Sequence, residues 1–208
     1  MKRGRGLALG LTLASAFAVG IALLVWSATR TTYRMPSGSM EPTIHAGERL
    51  VVDTSAYASR PPHAGDVVVF RAPFDETTLF VKRVAAIGPA EVNLAADGTL
   101  IVDGAPVGRE AAGEIEVADG PGRRERYAAH WEKQGRHRYK VLWRTEDADL
   151  GHPEGPWPVV DGKIFLLGDN RRNSHDSRYW GPIEQSGVIG QVEAVYLGEE
   201  GDAVRRVP

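Results

Sequence analysis

The chain has no cysteine, which excludes both a disulfide framework and any thiolate metal site. Acid is missing from one end: residues 1–34 hold Lys2, Arg3, Arg5, Arg30 and Arg34 but neither Asp nor Glu. The formal net charge of -2 therefore hides a basic end attached to a more acidic body. That asymmetry is not the footprint of a general nucleic-acid-binding protein, so no nucleic-acid partner is expected. It fits a membrane anchor better. Helical periodicity is also scarce, because no long stretch beyond residue 28 repeats apolar residues at a helical spacing. The six histidines (His45, His63, His130, His137, His152 and His175) show no metal-ligand spacing with carboxylates. Neither a metal nor a cofactor is implied.

What is present begins with an apolar run. From Leu7 to Ala28 the sequence LALGLTLASAFAVGIALLVWSA carries no charge, and as a helix it would extend about 33 Å, enough to cross a bilayer core. A cleaved secretory signal is the rival, but its apolar region is usually about 7–15 residues followed by a small-residue site. Ala14-Ser15-Ala16 lies inside the run, and Trp26 stands third from the end of a cut after Ala28. An uncleaved transmembrane anchor is therefore expected, with Lys2, Arg3 and Arg5 holding the N-terminus in the cytoplasm and the body on the outer face.

After the anchor come short runs rich in β-branched and aromatic residues, such as RLVVDTSAY, GDVVVFRAP, TLFVKRVAAIG, YKVLWRTE, GKIFLLGDN and VIGQVEAVYLG. Turn residues separate them, and Asp97-Gly98 between EVNLA and TLIVDG predicts a hairpin. The expected fold is mainly β, a sheet or barrel-like core with one N-terminal transmembrane helix. The organisation predicted is a basic N-terminus (1–6), anchor (7–28), first part of the core (29–103), inserted lobe (104–158), second part of the core (159–198) and a tail (199–208). The lobe is rich in charge and glycine and is expected to carry mobile loops; the tail is expected to fray.

The stretch MPSGSMEPTI, Met35 to Ile44, offers two serines around a glycine. A serine hydroxyl is a weak nucleophile until a neighbouring base removes its proton. His175 beside Asp176 suggests a catalytic triad, yet adjacent residues of an extended chain point to opposite sides, so Asp176 is badly placed to orient that ring. Lysine is the other candidate. In TLFVKRVAAIG, strand alternation puts Phe80, Lys82 and Val84 on one face and Val81, Arg83 and Ala85 on the other. Burial among apolar neighbours disfavours the charged form of Lys82 and would lower its pKa toward that of a working base. The alternative is a lysine that snorkels from the strand edge to solvent. Arg83 cannot serve, since guanidinium stays protonated. Residue chemistry alone leaves Ser37 and Ser39 undecided, because one could attack while the other stabilises a developing oxyanion.

Three ordered segments, PSGSMEPTI (36–44), FVKRVAAIG (80–88) and GDNRRNSHDSRYWG (168–181), resemble the motif boxes of the type I signal peptidases, the Ser/Lys leader peptidases. GDVVVF (65–70) is similar to a fourth, and a basic end with an apolar run precedes them all. The resemblance extends from Arg34 to Gly198 and is weakest over 104–158. It implies a signal-peptidase-like core, with Ser39 as nucleophile, Lys82 as general base, and the Ser37 hydroxyl with the Ser39 backbone N–H as oxyanion hole. By the same resemblance Ser174 hydrogen-bonds and orients the lysine, Asp176 and Arg178 form an ion pair behind the site, and Asp169 pairs with Arg83. Met40 and the strand Asp66, Val67, Val68, Val69 and Phe70 would shape the substrate groove. Two positions depart from the family pattern: Arg172 stands where an acid is common, and GPAEV replaces the usual Pro-Gly-Asp.

The implied activity is that of a membrane-bound serine endopeptidase that removes signal peptides from exported preproteins after small residues of the Ala-x-Ala type. Its partners would be preprotein signal peptides and the lipid bilayer of the bacterial cytoplasmic membrane, with a monomer expected. The competing readings are a specialised maturation peptidase, for example of conjugative pilin, a self-cleaving repressor, and an inactive anchored β-domain that binds exported chains. A repressor would need a DNA-binding segment where the apolar run stands.

Overall fold

The computed structural model describes residues 17–21, 24, 26–118, 124–144, 155–197 and 203–208. The expectations for the basic N-terminus and for most of the anchor lie outside these residues. Residues 17–21, 24 and 26–28 are helical, and among the described residues no helix is long and apolar enough to cross a membrane.

The body is mainly β. One eight-stranded sheet contains β1 (Arg30–Arg34), β2 (Arg49–Asp53), β3 (Val67–Ala72), β4 (Asp75–Ile87), β12 (Lys163–Leu167), β13 (Ile183–Glu184), β14 (Val188–Leu197) and β15 (Ala203–Arg206). Its order is β1-β2-β14-β3-β4-β12-β13, with β15 paired to β14. A four-stranded sheet joins β11 (Trp157–Val159), β5 (Ala90–Leu94), β6 (Leu100–Val102) and β7 (Ala105–Pro106), and a three-stranded sheet joins β10 (His137–Arg144), β9 (Arg124–Gln134) and β8 (Gly108–Ala118). The hairpin predicted at Asp97-Gly98 connects β5 to β6, with Gly98 at φ +80° and its N–H donating to the Ala95 carbonyl.

Strand β3 explains why VVVF is apolar without interruption. It lies between β14 and β4, and both of its faces are covered. Val67 and Val69 pack with Met35, Met40, Ile44, Leu50 and Val52. Val68 and Phe70 turn the other way, into Val84, Ile164, Leu166 and Ile183. Full burial of each such side chain contributes about 1.5–3 kcal/mol.

The described residues of the inserted lobe include the long strands β8, β9 and β10, and the expectation of mobile loops falls on residues 119–123 and 145–154, which lie outside the described residues. The lobe also joins the core through backbone bonds, since the Leu142 N–H donates to the Asp169 carbonyl and the Arg171 N–H to the Leu142 carbonyl. The tail expectation is corrected. Residues 203–206 do not fray but pair with Ala194 to Leu197 of β14, because that edge offers unpaired backbone groups to an extended segment. Residues 198–202 lie outside the described residues.

Candidate active site

The serine turn follows β1. Its backbone is closed by Glu41 N–H donating to the Gly38 carbonyl and Ile44 N–H donating to the Met40 carbonyl. Met40 and Ile44 plug it into the core. A second turn, Gly168 to Asn173, holds it from outside: the Asn170 N–H donates to the Ser39 carbonyl at 3.1 Å and the Asn170 amide to the Gly38 carbonyl at 3.3 Å.

Strand β4 brings Lys82 to this turn, with Nζ 2.7 Å from Ser39 Oγ and 3.1 Å from the Val81 carbonyl. Lys82 is 4% exposed and Ser39 7%. The snorkelling alternative is thereby set aside for this geometry. Burial pushes the Lys82 ammonium down from its ordinary value to about 8. Asp176 and Asp169 act in the opposite direction, but each carboxylate is largely neutralised by a bidentate guanidinium. Arg178 binds Asp176 at 2.8 and 3.0 Å, and Arg83 binds Asp169 at 2.8 and 2.7 Å. Burial alone would raise the Asp176 carboxyl, yet Arg178 overcomes that and holds it below the usual carboxylate range. Both ion pairs are buried.

Ser37 Oγ lies 3.3 Å from Ser39 Oγ, so the two hydroxyls are neighbours. The Ser39 N–H makes no hydrogen bond to other described residues, which leaves it available as a donor. Ser174 is placed otherwise than expected. Its Oγ is buried beside the Asp176 carboxylate, which it helps to hold in the charged form, while the Lys82 amine bonds Ser39 Oγ and the Val81 carbonyl instead. Ser174 crowds Gly168, where a Cβ would come within 2.2 Å of Ser174 Oγ and 2.5 Å of the Ser39 carbonyl. Gly168→Ala should therefore push the two turns apart, costing about 1–3 kcal/mol of stability and lowering the cleavage rate. Chemical unfolding and a peptide-cleavage assay would check this; wild-type values for both would contradict it.

A cleft of about 270 Å³ opens beside the serines. Its apolar walls are Met35, Pro36, Leu79, Phe80 and Val81, with Asn173 and His175 also lining it. The groove expectation for Met40, Asp66, Val67, Val68, Val69 and Phe70 is corrected here, since all are at most 2% exposed and none lines the cleft. The reason is the central position of β3; the neighbouring strand β4 carries the wall. Asp66 is instead a buried hub whose carboxylate accepts from Tyr57 Oη at 3.1 Å, His63 N–H at 3.0 Å and Gln191 Nε2 at 3.0 Å.

Sequence reasoning missed a second buried layer behind the site. Arg171 donates to Glu132 at 2.9 and 2.6 Å and to the Gly168 carbonyl at 3.1 Å. Tyr139 Oη donates to Gln134, whose amide donates to the Ala85 carbonyl. Only the doubled arginine in GDNRRN could have signalled that one guanidinium turns inward. The other, Arg172, sits 5.7 Å from the Trp143 ring. His175 does not orient toward Asp176 as a triad would require; its ring packs against Phe74, Tyr179 and Trp180.

Comparison with known proteins bears on this geometry. Residues 8–197 match the family model described as signal peptidase, peptidase S26. A signal peptidase I of Pseudomonas fluorescens is 29% identical over 85% of this chain and 68% of its own length. A signal peptidase I V of Bacillus subtilis is 28% identical over 86% of this chain and 94% of its own. A solved signal peptidase I from Enterococcus faecalis is 21% identical, covers 64% of this chain and 97% of its own, and superposes with a TM-score of only 0.38, too low to carry weight. The family match instead spans the serine turn, the lysine strand and the Gly168–Asn173 turn together, and the chain belongs to the signal peptidase family, peptidase S26.

Proposed function

We propose that this chain is a membrane-anchored serine endopeptidase that removes signal peptides from exported preproteins, with Ser39 as nucleophile and Lys82 as general base. The observation that carries the reading is the 2.7 Å approach of a buried lysine amine to a buried serine hydroxyl. In its neutral form the amine accepts the Ser39 proton as Oγ attacks the scissile carbonyl carbon. The Ser37 hydroxyl and the Ser39 N–H stabilise the oxyanion. The lysine ammonium then protonates the leaving amine, giving an acyl-enzyme. A water molecule transfers a proton to Lys82 while its oxygen attacks the ester, and Ser39 is restored.

The small apolar cleft beside Ser39 supports a preference for small side chains before the cut, as in Ala-x-Ala. An anchor over residues 7–28 is supported by the exposed apolar side chains of the helical residues Phe17, Leu24 and Trp26, exposed by 72%, 69% and 56%. Ser39 follows Ala28 by so few residues that extended chain would carry it at most roughly 36 Å from the membrane surface. With the body on the outer face of the cytoplasmic membrane, that is where a signal peptide emerges.

Incubation with a preprotein and sequencing of the new N-terminus tests the reading. The expected cut follows a small residue, and binding without a cut would favour a non-catalytic module. The rate should rise with pH through about 8, because only the deprotonated amine is a base. Below that value each pH unit should cost about tenfold; a rate independent of pH between 6 and 9 would speak against a lysine base.

A further inference from the structure

Arg83 is the neighbour of Lys82 on β4, and it is 1% exposed. A guanidinium has five N–H donors and, once buried, needs an acceptor for each. Nε and one Nη2 hydrogen go to Asp169 at 2.8 and 2.7 Å. The second Nη2 hydrogen faces Thr43 Oγ1 at 3.4 Å, and Thr43 in turn donates to Asp169. Nη1 donates to the Gly65 carbonyl at 2.7 Å and to the Pro208 carbonyl at 2.9 Å. The plane of Arg83 also covers the Tyr139 ring at 3.7 Å. One side chain thus ties together the lysine strand, the serine turn through Thr43, the Asn170 turn through Asp169, and the segment after β15. The fifth acceptor comes from that last segment alone.

The segment is itself held in place. Arg205 and Arg206 pair with Val195 and Ala194, the Val207 N–H donates to the Glu193 carbonyl at 3.0 Å, and Val207 packs against the core that contains Met35 and Met40. Val207 and Pro208 also line a cleft of about 800 Å³ on which His137 and Gln191 border. This cleft shares no lining residue with the one beside Ser39.

We propose that the segment from β15 to Pro208 is a positioning element of the dyad: the Pro208 carbonyl completes the buried set around Arg83, and Arg83 fixes the register of Lys82 against Ser39. This rests on the reading of Ser39 and Lys82 as the dyad. Without the carbonyl, one Arg83 donor is left unsatisfied unless water enters from the large cleft. Either response loosens the Arg83–Asp169 pair. Lys82 faces Asp176, Asp169 and Arg178 as well as Ser39, so water entry and a less neutralised Asp169 both favour its protonated form.

The test compares the wild-type chain, a deletion of Val207 and Pro208, Val207→Pro and Pro208→Ala on a peptide substrate across pH 6–10. Wild-type cleavage that is absent in Ser39→Ala first establishes the dyad reading separately. The deletion should lower kcat about tenfold or more with KM within twofold of wild type, and its acid limb should move to higher pH. Val207→Pro removes the N–H that fastens the segment to Glu193 together with the valine contact to the core and should show the same pattern; it decides the matter if the deletion does not fold, with Val207→Ala, which keeps the N–H, as the control for the lost side chain. Pro208→Ala keeps the carbonyl and should retain the wild-type profile. Unchanged kcat and acid limb in both the deletion and Val207→Pro, or equal damage from Pro208→Ala, would overturn the proposal.

Discussion

Ser39→Ala and Lys82→Ala proteins are each expected to cleave preprotein at least about 10⁴-fold more slowly than wild type while unfolding at nearly the wild-type denaturant concentration. In the proposed mechanism, removing the hydroxyl deletes the attacking atom. Removing the amine leaves a buried serine with no base in reach, since the nearest carboxylates are committed to Arg178 and Arg83. The double variant should be little worse than either single one, because the proposed mechanism uses the two groups in a single step. Lys82→Arg is the sharper control. It keeps charge and length, but a guanidinium does not deprotonate at working pH, so it should be as inactive as Lys82→Ala. Stability should not fall in Lys82→Ala, where a costly buried amine is removed. Full cleavage by purified Lys82→Ala protein at neutral pH would end the dyad assignment.

Glu132→Ala should destabilise the protein by about 3–5 kcal/mol. The pair it breaks is buried on both sides, with Arg171 2% and Glu132 1% exposed. Its energy is not the attraction alone; deleting the carboxylate strands a guanidinium in a site closed to water. Replacing both residues by methionine should recover most of the loss, because neither charge is then left unpaired. Since Arg171 also donates to the Gly168 carbonyl, Glu132→Ala should depress cleavage beyond what unfolding explains. Urea unfolding of the two variants measures the first effect, and a cost below about 1 kcal/mol for Glu132→Ala would place the pair among surface-type bridges.

Much of the local structure could be read from residue order. Alternation along TLFVKRVAAIG put Lys82 on the face of Phe80 and Val84, and Arg83 on the opposite one; the structure keeps that division. Asp97-Gly98 set a hairpin, and the uninterrupted apolar run of β3 set a strand buried on two faces. The ordered boxes pointed to the two turns and the lysine strand, and the family match over residues 8–197 agrees with them.

Distance in sequence hid the rest. Glu132 lies in RERYAAHWEKQ, a strand whose charges look solvated, and nothing nearby names Arg171 as its partner. Val67 to Phe70 resemble groove lining until the sheet order sets β3 between two strands and hands the wall to β4. Ser174 and Gly168 meet only because two turns close on each other, and β15 looks like a loose tail until the edge of β14 receives it. By itself the sequence determined strand periodicity, turn positions and the chemical kinds available, because these follow from backbone stereochemistry within a few residues. Only the tertiary structure decided that the lysine and serine meet in a dry site, that Arg171 neutralises Glu132 and that β4 walls the cleft, because desolvation and ion pairing arise between segments that the chain order leaves far apart.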